Sequence, residues 1–324
     1  MSFTSEKNNV ILGSSSDGRN WLRIFRPLIA CLIGSIAMLA ACSSEAPPAP
    51  HAATPPDRAA AKRGAYLFAA AGCVGCHTDT AHGGARLAGG KGIETPFGAY
   101  YSRNITPDPV HGIGAWSDAD FLRALRDGIS PGGAHYFPAF PYPAFTLMTD
   151  GDILDIWAYL RTQPPQPTEN RPHDVSFPFD VRLTMLPWRA LYFSEGPFKP
   201  DPAQSAQWNR GAYLANAVAH CGECHTPRTL LGGREDERRF NGGTLVGAGA
   251  KHAPNITPDP TDGIGKWRLE DILTLLKTGM MPNGDFVQAP MSDVVEDTAK
   301  LTDIDRVAIA TYLKSLPPLP GKGG

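Results

Sequence analysis

The chain has almost no net charge: 30 Lys and Arg stand against 32 Asp and Glu, a formal −2 at neutral pH. That balance leaves no electrostatic footprint for nucleic acid or for a strongly anionic surface, so neither is expected as a partner. Cysteine is scarce, six in 324 residues. Cys31 and Cys42 lie near the N-terminus, and the other four are committed to two short motifs, so no pair remains for a structural disulfide in the body. Long apolar runs are all but missing. The one candidate, Leu28 to Ala41, is about 14 residues long, short of the roughly 20 that cross a bilayer as a helix. Strand signals are poor as well. What the chain does have is 34 Gly and 31 Pro, which points to many loops and to a core that needs help from something other than side chains.

The four remaining cysteines fall in Cys73-Val74-Gly75-Cys76-His77 and Cys221-Gly222-Glu223-Cys224-His225. Both read C-x-x-C-H, the attachment motif for c-type haem. Each cysteine pair can form two thioethers to the ring, and the adjacent histidine supplies a proximal nitrogen for the iron. A redox dithiol or half of a zinc site would use the cysteines but leaves both histidines unexplained. Two covalently bound haems c are expected, held by Cys73, Cys76, Cys221 and Cys224 with His77 and His225 as axial ligands.

Arg19, Arg23 and Arg26 precede the apolar run, the order of a secretory signal. The run closes on Leu39-Ala40-Ala41-Cys42, which resembles a bacterial lipoprotein lipobox. Residues 1–41 are therefore read as signal, Cys42 as a lipidation site and 42–57 as a flexible Ala/Pro tether. An uncleaved anchor helix, or a soluble product cut elsewhere, is the competing reading. Either way the chain is expected on the periplasmic side of a bacterial membrane.

Beyond the tether the sequence repeats itself. Arg63-Gly64-Ala65-Tyr66-Leu67 returns as Arg210-Gly211-Ala212-Tyr213-Leu214, and Asn104-Ile105-Thr106-Pro107-Asp108 as Asn255-Ile256-Thr257-Pro258-Asp259. Each loop leads to a Trp (Trp116, Trp267), then to a helix start at Ser117 or near Arg268, then to a last helix opening at Thr149-Asp150 or Thr302-Asp303. Within each copy the expected order is helix, motif, long loop, helix, loop, helix. The fold is expected to be mostly α. Gly64 and Gly211 would let the first helix of a copy cross close to its last. Between the copies, the aromatic stretch 166–205 is read as a strap packed across one or both, with an exposed docking surface as the alternative.

These motifs, with Thr95-Pro96-Phe97-Gly98 and Cys221 to Pro227, resemble the cytochrome c subunits of bacterial membrane-bound alcohol, aldehyde, gluconate and sorbitol dehydrogenases. The resemblance covers residues 58–318. It implies two tandem class I cytochrome c domains, 58–165 and 206–318, followed by a tail at 319–324. It further implies an electron-transfer role without catalysis of its own, between a periplasmic or membrane-associated dehydrogenase as donor and a quinone, cytochrome or terminal oxidase as acceptor. Those subunits commonly carry three haem motifs and a C-terminal anchor; this chain carries two motifs and no such anchor, which leaves the direct quinone contact and the partner open.

The sixth ligands divide the copies. Met291, in the loop before the last helix, matches the family position in the second copy, with Met280 and Met281 behind it. In the first copy Phe140 stands where the family often has Met, and a phenyl ring cannot bind iron. Met148 is placed first, His135 second, and an iron without a protein ligand third. The last possibility sustains a rival function, a haem enzyme of the peroxidase or thiosulfate dehydrogenase kind. Asn104, Asn255, Trp116 and Trp267 are candidates for hydrogen bonds to propionates, unless their loops serve only to turn the chain.

Overall fold

Asp57 begins the first helix by accepting hydrogen bonds from the Ala59 and Ala60 amides at 3.0 and 3.3 Å, the usual service of an N-cap carboxylate. The computed structural model describes residues 57–244 and 251–321; the signal, Cys42 and all but the last residue of the tether lie outside them. Helix α1, Arg58–Ala70, leads through Gly72, left-handed at φ 62°, into the single turn α2, Cys73–His77. A hairpin follows, β1 Gly92–Thr95 and β2 Gly98–Tyr101, in the register Thr95↔Gly98 to Gly92↔Tyr101. Helix α3, Asp118–Asp127, opens on a full capping box in which Ser117 and Asp120 each accept the other's amide at 3.1 Å. A short α4, Tyr142–Phe145, precedes α5, Asp150–Leu160, which is capped by Thr149.

The strap supplies β3, Asp174–Val175, antiparallel to β2, and α6, Met185–Tyr192. The second copy then repeats the plan. Helix α7, Ala206–Tyr213, runs on into a π turn at Leu214–Val218. The pair β4 Gly243–Thr244 and β5 His252–Ala253 follows, then α8 Leu269–Thr278, α9 Met291–Thr298 and α10 Asp303–Ser315. At the start of α8 only half of a capping box forms, the Asp271 carboxylate accepting the Arg268 amide at 2.8 Å, because an arginine side chain cannot accept in return.

The described residues are mostly helical, as expected. The hairpin and the short helices α4 and α9 were not expected; four-residue strands flanked by glycine carry little alternation to read. Within each copy the first helix crosses the last at a glycine. A Cβ on Gly64 would lie 1.7 Å from the Asp155 carbonyl oxygen, and one on Gly211 1.9 Å from that of Ala308, so no other residue permits the approach.

The copies themselves form one compact unit, joined by a reciprocal exchange. The Tyr66 hydroxyl of the first copy donates to Asp305 of the second at 2.6 Å and accepts the Thr302 amide at 3.1 Å. Tyr213 of the second donates to Asp152 of the first and accepts the Thr149 amide at 3.2 Å. Short helices are exchanged too: α4 packs on the π turn after α7, and α9 packs on α1.

The strap does bridge both copies. Trp188 donates its indole N–H to the Leu231 carbonyl at 3.0 Å, the Phe198 amide bonds Leu147 at 2.8 Å, and the Phe198 ring meets Tyr213. A second apolar cluster of Tyr100, Phe137, Tyr142, Met185 and Trp188 lies beneath α6. The strap also leaves Phe177, Leu183 and Leu191 exposed.

Candidate haem site

One helical turn places Cys73 and Cys76 on the same face of α2, with His77 closing it. The second motif makes a tighter turn, a 3₁₀ segment Cys221–Glu223 entered through His220 at φ 39°. None of the four cysteines is paired in a disulfide. Burial pushes the thiols of Cys73 and Cys221 up to about 12 and that of Cys224 up to about 11. A reactive dithiol needs depressed values, the opposite direction. The zinc reading fails, since among the described residues no three His, Cys, Asp or Glu side chains converge as a metal-ion site.

The two histidines are held alike. His77 donates from Nδ1 to the Arg103 carbonyl at 2.7 Å, and His225 from Nδ1 to the Pro254 carbonyl at 2.8 Å. Each bond fixes the tautomer and leaves Nε2 as the free lone pair, the arrangement a metal-binding imidazole requires. Burial lowers the pKa of both rings, which keeps them neutral and able to bind a metal. These residues fit a covalently attached haem: two thiols, one turn and an oriented imidazole in each motif.

Arg103 and Pro254 immediately precede the repeated asparagines, and this gives the Asn-Ile-Thr-Pro-Asp loops their role. Asn104 is almost wholly buried. Its side-chain oxygen accepts from Thr106, and its amide donates to the Gln166 and Thr168 carbonyls at 2.8 and 3.0 Å. Asn255 likewise accepts from Thr257 and donates to the Leu319 carbonyl at 2.7 Å. Asn104 therefore spends both amide hydrogens on clamping the segment that leaves its copy, which corrects the expectation that it reaches a propionate, and Asn255 spends one in the same way. Trp116 and Trp267 pack against the core.

A cation also caps each motif. Lys91 donates from Nζ to the Gly75 carbonyl at 2.6 Å, and Arg228 donates to the Glu223 carbonyl at 2.8 Å. In the second motif Glu223 itself is clamped by Arg228 and Arg234. Burial alone would raise its pKa, but the charges of Arg234 and Arg228 outweigh that and hold it low.

The fold brings the two motifs together. His220 bonds through Nε2 to the Ala71 carbonyl at 3.2 Å, and its ring meets Phe145 at 5.4 Å. No periodicity in the sequence could have signalled this contact. Met291 opens α9 and is partly exposed, as is Met281, whereas Met280 lies open to solvent. Met148 is fully enclosed in the apolar core, and its carbonyl accepts from Arg126 at 2.7 Å. His135 pairs by backbone with Ile129, its carbonyl takes a bond from Arg182 at 2.6 Å, and its buried Nδ1 has no partner among the described residues.

Two thiols and one oriented, neutral imidazole per motif define a protein of covalently bound haem c. A cytochrome c family model matches residues 61–164. The chain is 42% identical over 267 residues to a diheme cytochrome c-type protein of Cereibacter sphaeroides, covering 80% of this chain and 86% of that one. It is also 38% identical over 299 residues to the fructose dehydrogenase cytochrome subunit of Gluconobacter japonicus, covering 91% of this chain and 60% of that one. To the gluconate 2-dehydrogenase cytochrome c subunit of Pantoea cypripedii it is 34% identical over 305 residues, covering 90% of this chain and 65% of that one. The chain thus spans less than two thirds of the length of these two dehydrogenase subunits. The chain belongs to the cytochrome c family.

Proposed function

We propose that this is a dihaem electron carrier on the periplasmic side of a bacterial membrane. It would be tethered through a lipid on Cys42 and would pass electrons from a partner dehydrogenase to a quinone, a cytochrome or a terminal oxidase of the respiratory chain. The observation that carries the reading is the equivalent presentation of His77 and His225, each with Nδ1 committed to the carbonyl ahead of a repeated asparagine. Bound haem supplies a one-electron couple at its iron. The chain's own residues do the rest: Cys73, Cys76, Cys221 and Cys224 fix the rings, the histidines orient the axial bonds, Met291 completes the second site, and His220 holds the two attachment turns against each other. The presence of dehydrogenase cytochrome subunits among the relatives supports the donor class. Two measurements test the proposal. Haem quantification of the full chain is expected to give two covalent haems. Capture of the tagged protein from its own membranes is expected to bring down a dehydrogenase whose substrate reduces both. One haem per chain would defeat the dihaem reading, and haems that stay oxidised in the captured complex would defeat the donor.

A further inference from the structure

The two copies differ at the ligand position of the repeat. Each copy ends its middle helix on a left-handed glycine, Gly128 at φ 63° and Gly279 at φ 78°. Each then makes a β-bridge around a second left-handed glycine: Ile129 with His135 around Gly133, and Met280 with Phe286 around Gly284. The same number of residues then leads to Phe140 in one copy and to Met291 in the other. Counted from the bridge the two correspond, with Phe140 two residues ahead of α4 and Met291 opening α9.

The alternative ligands of the first copy have counterparts as well. Met148 and Leu301 both immediately precede the threonine cap of the last helix, both are buried in the core, and both give their carbonyl to an arginine, Arg126 and Arg306 respectively. A leucine performs the same structural task, so the Met148 side chain is accounted for as core. His135 corresponds to Phe286, which is 57% exposed at the bridge. The His135 carbonyl is pinned by Arg182, and Arg189 lies near enough to the ring to depress its pKa further than burial alone does. The Phe140 ring is anchored among Tyr136 at 5.5 Å, Phe145 at 5.7 Å and Tyr142 at 6.4 Å. Carbon offers no lone pair to iron.

We infer that the first site has no protein ligand on its distal side and is a binding site for a small exogenous ligand. That ligand would be a neutral diatomic such as carbon monoxide or nitric oxide when the iron is reduced, and water or a small anion when it is oxidised. The inference rests on the reading that Met291 serves the second site, since Phe140 is judged by that residue's position. The chain then divides its labour: the second site exchanges electrons with a saturated iron, and the first also takes up a ligand whose identity sets its potential.

The test is a carbon monoxide titration of the reduced, full-length protein with both haems attached, read in the visible spectrum. One carbon monoxide per two haems is expected. Phe140→Met should abolish that binding and strengthen the sulfur-to-iron charge-transfer band of the oxidised protein, while Met148→Leu should change neither. Absence of binding in the unmodified protein overturns the inference, as does binding that Phe140→Met leaves intact. The Met291 reading is checked separately by Met291→Ala, which should remove the charge-transfer band and add a second bound carbon monoxide. A band that survives in Met291→Ala but is lost when Met148→Leu is added overturns the inference, because Met148 then binds the first iron; a band that survives both changes defeats the Met291 assignment alone.

Discussion

The two copies share a backbone plan yet distribute their charges differently, and one residue explains much of the contrast. In the first copy Arg63 pairs with Asp155 of its own last helix, at 2.6 and 2.7 Å. The second copy has Ala308 at that place, so Arg210 turns to Asp305, at 2.9 and 2.8 Å. Asp305 therefore serves two donors, Arg210 from its own copy and Tyr66 from the other. Its counterpart Asp152 receives Tyr213 and, among the described residues, no other side chain. A duplicated fold thus keeps its helices and caps while its polar contacts drift, because a cap depends on neighbouring residues and an ion pair on distant ones.

The largest test of this comparison removes one attachment at a time. Cys73→Ala with Cys76→Ala, or Cys221→Ala with Cys224→Ala, should each halve the covalent haem, read by haem staining and quantification. An unequal result would show that one site depends on the other. Next come the crossings. Gly64→Ala and Gly211→Ala should each cost about 3 kcal/mol, since backbone must move to admit a methyl group; denaturant midpoints would show it, and the two losses should match.

The tyrosine exchange should be unequal. Tyr213→Phe leaves the Asp152 carboxylate without its donor and should cost about 2 kcal/mol, whereas Tyr66→Phe leaves Asp305 with Arg210 and should cost about 1 kcal/mol. Equal losses would contradict the sharing described for Asp305.

The smallest effect concerns pH. Burial alone would raise the Asp305 pKa, but the donors Arg210 and Tyr66 hold it below the ordinary carboxylate value. A depressed folded value contributes stability that is fully present above the unfolded pKa, roughly 4, and is lost as pH falls through the folded one. Denaturation midpoints measured from pH 6 downward should fall more steeply in the unmodified protein than in Asp305→Asn.

Much of this was legible in the residues, and for local reasons. Ser117, Thr149 and Thr302 announce helix starts because an N-cap is satisfied within three residues. Gly64 and Gly211 were readable as crossing points because they interrupt otherwise good helices at matching places. The motifs declared their cysteines and histidines outright. The Tyr66–Asp305 bond was not readable, since it joins residues 239 apart in sequence. The Asn104 loop misled for a related reason: its amide's partners are backbone carbonyls of the departing chain, which leave no mark on residue identity. The hairpin at 92–101 escaped because its strands are too short to alternate. Phe140 was visible as a departure from a pattern, and it took the shared bridge and glycines to make it correspond to Met291.

The exchange of Tyr66 and Tyr213 has an isologous form: the residue that reaches out from each half meets the counterpart of the residue that receives it. Contacts of that form are the mark of a two-fold homodimer. Each half carries both the tyrosine and the aspartate of that exchange, and so can offer the same pair of bonds to a second copy of itself. Expressed alone, residues 206–318 should pair through Tyr213 and Asp305, and the duplicated chain is in effect a homodimer whose subunits have been tied by the strap and left free to diverge.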